Sequence, residues 1–300
     1  MKTDVALLTE RRYVTAPAPA GDWYLENILR DDQLLQTALY QLGLSSARVD
    51  WSDPDEDWSR FGCAVFRTTW DYFNRFQEFT AWLGRVQSLT RLRNEPALIR
   101  WNMDKHYLAD LKALGIAVVP SLFVEQGSQV GLPELLDQAG WHDAVIKPCV
   151  SGGARHTYRV GRENAEQVDA VVQRLLTSES LILQPFQQAI VERGEDSLML
   201  FNGRFSHAVR KVAKPGDFRV QDDHGGSVYA SCPTPSQIEL AEGAMAACDP
   251  MPVYGRVDML QDQQGHWMVM EIEIIEPELW LRYHPPAATA LAQAIAESLS

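Results

Sequence analysis

Two strand-like runs, Tyr254–Leu260 and Trp267–Glu273, flank a short Gln264-Gly265 turn, and the second alternates apolar and acidic side chains with period two. If the chain reverses at that turn, antiparallel pairing sets Asp258 opposite Glu271 and Arg256 opposite Glu273, all on one face of the sheet. Three carboxylates and a guanidinium then converge. Ile272, Ile274, Ile275 and the neighbouring methionines mark the hairpin as interior, and interior acids need a counter-charge. A hard cation such as Mg²⁺ supplies one; ion pairing within the fold is the alternative.

A chain of 300 residues, 46% of them apolar, can bury a large core and divide into two or three subdomains. Its net charge of −13 argues against non-specific nucleic-acid binding but leaves room for a local basic cleft. Cys63, Cys149, Cys232 and Cys248 are scattered, with neither zinc-type pairs nor the density of a disulfide framework, which fits a reduced cytoplasm. No uninterrupted apolar run reaches membrane length. The expectation is a cytoplasmic protein without membrane or nucleic-acid partners.

The first third alternates strands at Val5–Leu8, Ala47–Trp51 and Ala64–Trp70 with helices at Trp23–Leu42 and Phe73–Val86. Such alternation predicts a parallel sheet, whose ligands gather at the carboxyl ends of the strands. Arg67-Thr68-Thr69-Trp70-Asp71 stands at such an end, either contacting substrate or starting a helix with an ion pair. No glycine fingerprint follows the first strand, which argues against dinucleotide binding.

A boundary is expected near Asn94-Glu95-Pro96. Beyond it, helical character over Asp104–Leu114 leads to a strand over Val118–Val124, a helix near Pro133–Ala139 and a short strand, Ala144–Pro148, that carries Lys147. The loop Ser151-Gly152-Gly153-Ala154 follows. A lysine in an apolar strand needs an anionic partner, and glycines let backbone N–H groups approach phosphate oxygens. Together they suggest a nucleotide's phosphates, although Lys147 can also reach the surface and the glycines can form only a turn.

A helix near Asn164–Leu176 precedes the strand Leu181–Phe186; Ser197–Phe201 and Arg204–Val209 then flank Asn202-Gly203, a strong hairpin signal. Arg210, Lys211 and Lys214 cluster after it and suit a cleft that holds metal and polyphosphate together. His224, among Asp222, Asp223 and glycines, reads as a turn residue rather than a metal ligand. Pro285-Pro286 precedes an alanine-rich helix, Ala287–Leu299; Trp280, Arg282 and Tyr283 either border a pocket or belong to the core.

In order, Asp104-Lys105, Ile146-Lys147-Pro148, Ser151-Gly152-Gly153, Gln184-Pro185-Phe186, Gly194-Glu195, Arg256-Val257-Asp258 and Glu271-Ile272-Glu273 resemble the ATP-binding elements of the ATP-grasp superfamily, over about residues 95–280. The glutathione synthetase and D-alanine–D-alanine ligase side is the nearer one. Arg-Thr-Thr-Trp-Asp at 67–71 and Glu-Ile-Ile-Glu-Pro-Glu-Leu at 273–279 resemble, more narrowly, the D-cycloserine ligase group.

The resemblance implies a mixed α/β and α+β ATP-grasp fold: a Rossmann-like parallel-sheet layer at 1–95, a small lobe at 96–183 and a metal-carrying lobe at 184–300, the two lobes clamping ATP. It assigns Lys105 and Lys147 to the phosphates, Ser151, Gly152, Gly153 and Ala154 to a closing loop, Gln184, Pro185 and Phe186 to adenine, and Glu195 to the ribose. Asp258, Glu271 and Glu273 become Mg²⁺ ligands; Arg256, Lys147 and Arg210 become the catalytic cations; Arg67, Thr68, Thr69, Trp70 and Asp71 face the substrate. Many family members carry asparagine where Glu273 stands, so its charge either changes the metal site or balances Arg256. The implied reaction is ATP-dependent amide formation through an acyl phosphate. It closes a ring on O-ureido-D-serine, or joins two small amino-acid-like molecules; a nucleotide-binding regulator without turnover is the alternative of another class. Related ligases also imply a homo-oligomer.

Overall fold

Residues 2–14, 17–220 and 225–299 of the computed structural model are described; His224, Asp222 and Asp223 lie outside them. The N-terminal layer contains β1 (Thr3–Thr9), α1 (Trp23–Gln41), β2 (Ser46–Asp50), β3 (Phe61–Thr68), α2 (Phe76–Val86) and β4 (Arg91–Arg93). Its strands form a parallel sheet in the order β2-β1-β3-β4. Asp22 caps α1 by accepting from the Leu25 amide at 3.0 Å, and the stripe Leu25, Ile28, Leu35, Ala38 and Leu39 is buried.

Next come α3 (Pro96–Asn102), α4 (Tyr107–Ala113), β5 (Leu122–Val124), α5 (Leu132–Ala139), β6 (Asp143–Pro148), β7 (Tyr158–Gly161), α6 (Ala165–Leu176) and β8 (Leu181–Pro185). Here the sheet is antiparallel, in the order β5-β8-β6-β7. The strand expected over 118–124 is shorter. Its first part instead bridges to the C-terminal sheet, the Val119 amide donating to the Val269 carbonyl at 2.9 Å, and Pro120 lacks the N–H to continue a ladder.

The last part contains α7 (Ala189–Arg193), β9 (Glu195–Phe201), β10 (Arg204–Val212), β11 (Ser227–Ser231), α8 (Pro235–Ala246), β12 (Tyr254–Gln261), β13 (Trp267–Glu273) and α9 (Ala287–Leu299). Its antiparallel sheet runs β11-β10-β9-β12-β13. The sequence pattern did not signal α3 or α8; α8 begins with a Thr234–Gln237 capping box followed by Pro235.

The two ends of the chain share a core. Leu35, Ala38 and Leu39 of α1 pack in one apolar cluster with Leu291, Ala292 and Ile295 of α9. Asn94 and Tyr254 stitch the same seam: the Asn94 amide donates to the Tyr254 and Ile274 carbonyls at 2.8 and 2.6 Å, and the Tyr254 hydroxyl, with one proton to donate, lies 3.0–3.1 Å from the Phe66, Arg93 and Ile275 carbonyls. Among the described residues no helix is long and apolar enough to cross a membrane.

Candidate active site

Strand β12 lies between β9 and β13, so its residues 256–259 have a partner on both sides. Asp258 stands opposite Glu271 and Arg256 opposite Glu273, in the register that the alternation predicts; a bulge follows Asp258. On the other side Asp258 faces Ser197, whose hydroxyl donates to Oδ1 at 2.5 Å. These side chains form the floor of a cleft of about 770 Å³, with walls from both antiparallel sheets and the N-terminal layer.

The buried acids are met by cations. Arg256 forks Asp258, Nε and Nη2 each donating at 2.8 Å, and also pairs with Glu273. Lys211 Nζ bridges Glu195 and Asp258, and Lys105 Nζ pairs with Glu271 Oε1 at 2.8 Å while donating to the Ser151 carbonyl at 3.0 Å. Burial works to raise the Asp258 pKa, but Arg256 and Lys211 override it and hold the carboxyl well below its usual range. Glu271 is lowered in the same way by Lys105 and Lys147. For Glu273 burial wins over Arg256 and raises the pKa to about 7.

Lys147 differs from the other cations. Among the described residues its ammonium has no hydrogen bond or ion pair, and burial lowers its pKa against the pull of Glu271. It lines the cleft beside Ser151, Gly152 and Gly153. A cation so placed can meet an anion from the cleft at little reorganisation. Gly152 also has a steric reason to be glycine, since a Cβ there would stand 2.7 Å from the Phe73 ring.

The donor set suits a hard cation. Oε2 of Glu271 and of Glu273 accepts no hydrogen bond among the described residues, whereas both oxygens of Asp258 are engaged. At the other end of the cleft, the Gln184 amide donates to Ser121 Oγ at 3.0 Å, and Phe186 lies under the Arg159 guanidinium at 3.6 Å and edge-on to Phe218. Gln184, Pro185, Phe186 and Phe218 line this part of the cleft.

Comparisons with known proteins agree with this geometry. Residues 5–94 match the family model "D-cycloserine synthetase DcsG, N-terminal domain". The chain is 35% identical to the cycloserine biosynthesis protein DcsG of Streptomyces lavendulae, over 88% of this chain and 92% of that protein. The chain belongs to the D-cycloserine synthetase family of ATP-grasp ligases. A crystal structure of D-cycloserine synthetase DcsG superposes with a TM-score of 0.85 at 33% identity, covering 99% of both chains. The D-alanine–D-alanine ligase of Bacillus anthracis complexed with ATP shares the fold, with a TM-score of 0.68 at 14% identity over 99% of this chain and 97% of that one. This family member is thus an enzyme of the class that forms C–N bonds.

Not every expected site residue lines the cleft. Of 67–71 only Trp70 does. Arg67 pairs with Asp32 at 3.0 Å, the Thr68 hydroxyl meets Thr9 at 2.5 Å, Thr69 is fully buried, and Asp71 holds Arg75 and the Trp51 indole. Apart from the Thr69 hydroxyl and Arg67 Nη1, which are buried without a hydrogen-bond partner, their polar groups serve the sheet end itself. Arg210 is also displaced: it forks Asp196 at 2.9 Å, while the next residue, Lys211, takes the cleft face. Strand alternation explains the exchange. Lys214 is half-exposed near Asp217. Trp280 lines the cleft beneath Arg256, their separation being 5.1 Å, whereas Arg282 pairs with Asp31 and Glu278. Glu276, within the 273–279 segment noted in the sequence but given no role there, and Tyr72, which no motif announced, also line the cleft.

Proposed function

We propose that this enzyme closes a ring on O-ureido-D-serine: ATP activates the substrate carboxylate as an acyl phosphate, the nitrogen bonded to the side-chain oxygen of the same molecule displaces phosphate, and water removes the carbamoyl group from that nitrogen as carbon dioxide and ammonia, giving D-cycloserine, ADP and phosphate. The unpaired Lys147, facing the Arg256–Glu271–Glu273 set across the cleft, carries the reading. Likeness to a cycloserine biosynthesis protein over most of the chain supports the substrate class.

In this reading Lys105 and Lys147 bind phosphate oxygens, the Ser151–Ala154 loop covers them, and Gln184, Pro185 and Phe186 take adenine. Glu195 approaches the ribose. Arg256 neutralises charge on the transferred phosphoryl group. Glu271 and Glu273, with Asp258, would hold Mg²⁺, which lends Lewis-acid neutralisation of phosphate charge. Parts 1–95, 96–183 and 184–300 act as substrate wall, mobile lobe and metal lobe in a cytoplasmic enzyme. The enclosing cleft suits intramolecular attack, which gains from proximity and from exclusion of water.

The test is mass spectrometry of reactions with Mg²⁺-ATP and O-ureido-D-serine, beside a control without acceptor and a panel of amino-acid pairs. Cycloserine rising in step with ADP is the expected result. ADP formed only with an amino-acid pair would make the enzyme an intermolecular ligase, and no acceptor-dependent ADP at all would leave a nucleotide-binding protein.

A further inference from the structure

Two polar groups in the cleft have no use in the chemistry above. Glu276 follows the metal-lobe hairpin, three residues beyond Glu273, and lines the cleft half-buried. Its main chain is fixed from the opposite layer, the Trp70 indole donating to the Glu276 carbonyl at 2.9 Å, and Pro277 stiffens the next position. Among the described residues no other residue bonds or pairs with its carboxyl, which meets only its own backbone amide, whereas the neighbouring Glu278 holds Arg282 at 2.6 Å. Tyr72 is only 4% exposed, its ring packed on Phe73 and Phe79 at centroid distances of 5.6 and 5.1 Å. Its hydroxyl also has no partner among the described residues, although the residue lines the same cleft.

The two groups belong to one end of that cleft. The Trp70 bond ties Glu276 to the segment that carries Tyr72 two residues on, and both residues line the cleft; burial and then the Glu276 charge raise the Tyr72 pKa far above the usual phenol range, and burial followed by Glu273 raises that of Glu276. A carboxyl that meets only its own amide, and a buried phenol that can accept as well as donate, leave acceptor capacity for a ligand's donors. The surrounding acids disfavour an anion there. A cation with several N–H donors fits, and the Trp70 ring lines the same wall.

We propose that Glu276, assisted by the Tyr72 hydroxyl, is the specificity-determining site for the substrate's ammonium group, so that only carboxylates bearing a free amine are seated for activation. The inference rests on the ligase reading above and names what selects its substrate. The ammonium occupies the Glu276–Tyr72 corner while the carboxylate of the same molecule turns to Arg256. A substrate lacking the amine leaves both corner groups unpaired, which makes discrimination strong.

The experiment compares wild type, Glu276→Gln and Tyr72→Phe, each saturated with Mg²⁺ and a non-hydrolysable ATP analogue. Equilibrium binding is measured for two matched pairs: D-serine against 3-hydroxypropionate, and O-ureido-D-serine against its des-amino analogue. Wild type should favour the amine-bearing member about 30-fold, as loss of a charge-assisted contact implies. Glu276→Gln should bring the pairs within about 3-fold while nucleotide affinity and Mg²⁺ requirement stay unchanged, and Tyr72→Phe should fall between. Three results overturn the proposal: no amine preference in wild type in either pair, equal losses for both members in Glu276→Gln, or a changed Mg²⁺ requirement, which would make Glu276 a metal ligand. Unchanged nucleotide binding shows that the variants are folded. Wild type that fails to turn over O-ureido-D-serine sinks the ring-closure reading alone, because the D-serine pair still scores the ammonium site.

Discussion

Arg256 grips Asp258, two residues along the same strand, through two hydrogen bonds of 2.8 Å, Nε to Oδ1 and Nη2 to Oδ2. The same guanidinium reaches across to Glu273 on the paired strand, so one cation is shared by two of the three acids proposed for the metal. A lysine cannot reproduce that planar fork. Arg256→Lys should therefore keep the fold and lower kcat by about 10²–10³-fold, the scale expected for removing an electrostatic stabiliser. Steady-state ADP release checks this; a near-normal rate would reduce Arg256 to a structural clamp.

Lys211 and Arg210 are adjacent but differ in burial, and their variants should differ accordingly. Lys211→Met leaves Glu195 and Asp258 with an uncompensated buried charge and should cost about 3–5 kcal/mol, along with ATP affinity. Arg210→Met removes a partly exposed pair, and Asp196 keeps hydrogen bonds from Ser231 and Gln237 at 3.1 and 3.0 Å, so about 1 kcal/mol and an unchanged rate are expected. Denaturant midpoints alongside ADP assays compare the two. Equal effects would mean that the strand face is misassigned.

Asn94 has an exposure of 0% and satisfies two carbonyls and the Val253 amide between the N-terminal layer and the hairpin. Asn94→Ala should lose about 2–4 kcal/mol because backbone groups on both sides are left unpaired in the interior. A thermal or urea melt reads this directly, and a loss below about 1 kcal/mol would show that water or a shifted backbone replaces the contacts.

His207 predicts an acid-sensitive contribution. Burial lowers its pKa to about 4, and ring Nε2 lies 2.8 Å from the Leu279 carbonyl, so the folded state holds the neutral Nε2–H form. The unfolded chain takes up the proton at about 6.5. Stability from this group is therefore full above about pH 6.5, falls as pH drops toward 4, and levels off below that, by up to about 3 kcal/mol. Urea midpoints for wild type and His207→Asn across that interval should differ in slope; parallel curves would remove His207 from the acid limb.

Much of the site could be read along the chain because its signals are local. The Arg256–Glu273 and Asp258–Glu271 pairs followed from period-two alternation and a two-sided turn, and the bulge after Asp258 left that register intact. Lys147 stood out as a charge in an apolar strand beside glycines. The 67–71 segment was less transparent: its polarity serves both a sheet end and a cleft wall, and only Trp70 reaches the cleft.

By itself the sequence determined the strand–helix alternation of the first layer, the hairpin register and the residue types able to meet phosphate and metal, since these depend on neighbours along one strand, helix or turn. Only the tertiary structure decided that Lys211 rather than Arg210 faces the cleft, that α1 and α9 close one core, and that Trp70 bonds to Glu276. Side-chain phase on a strand changes by half a turn with each residue, and contacts between segments some two hundred residues apart depend on how whole layers pack, which no local pattern records.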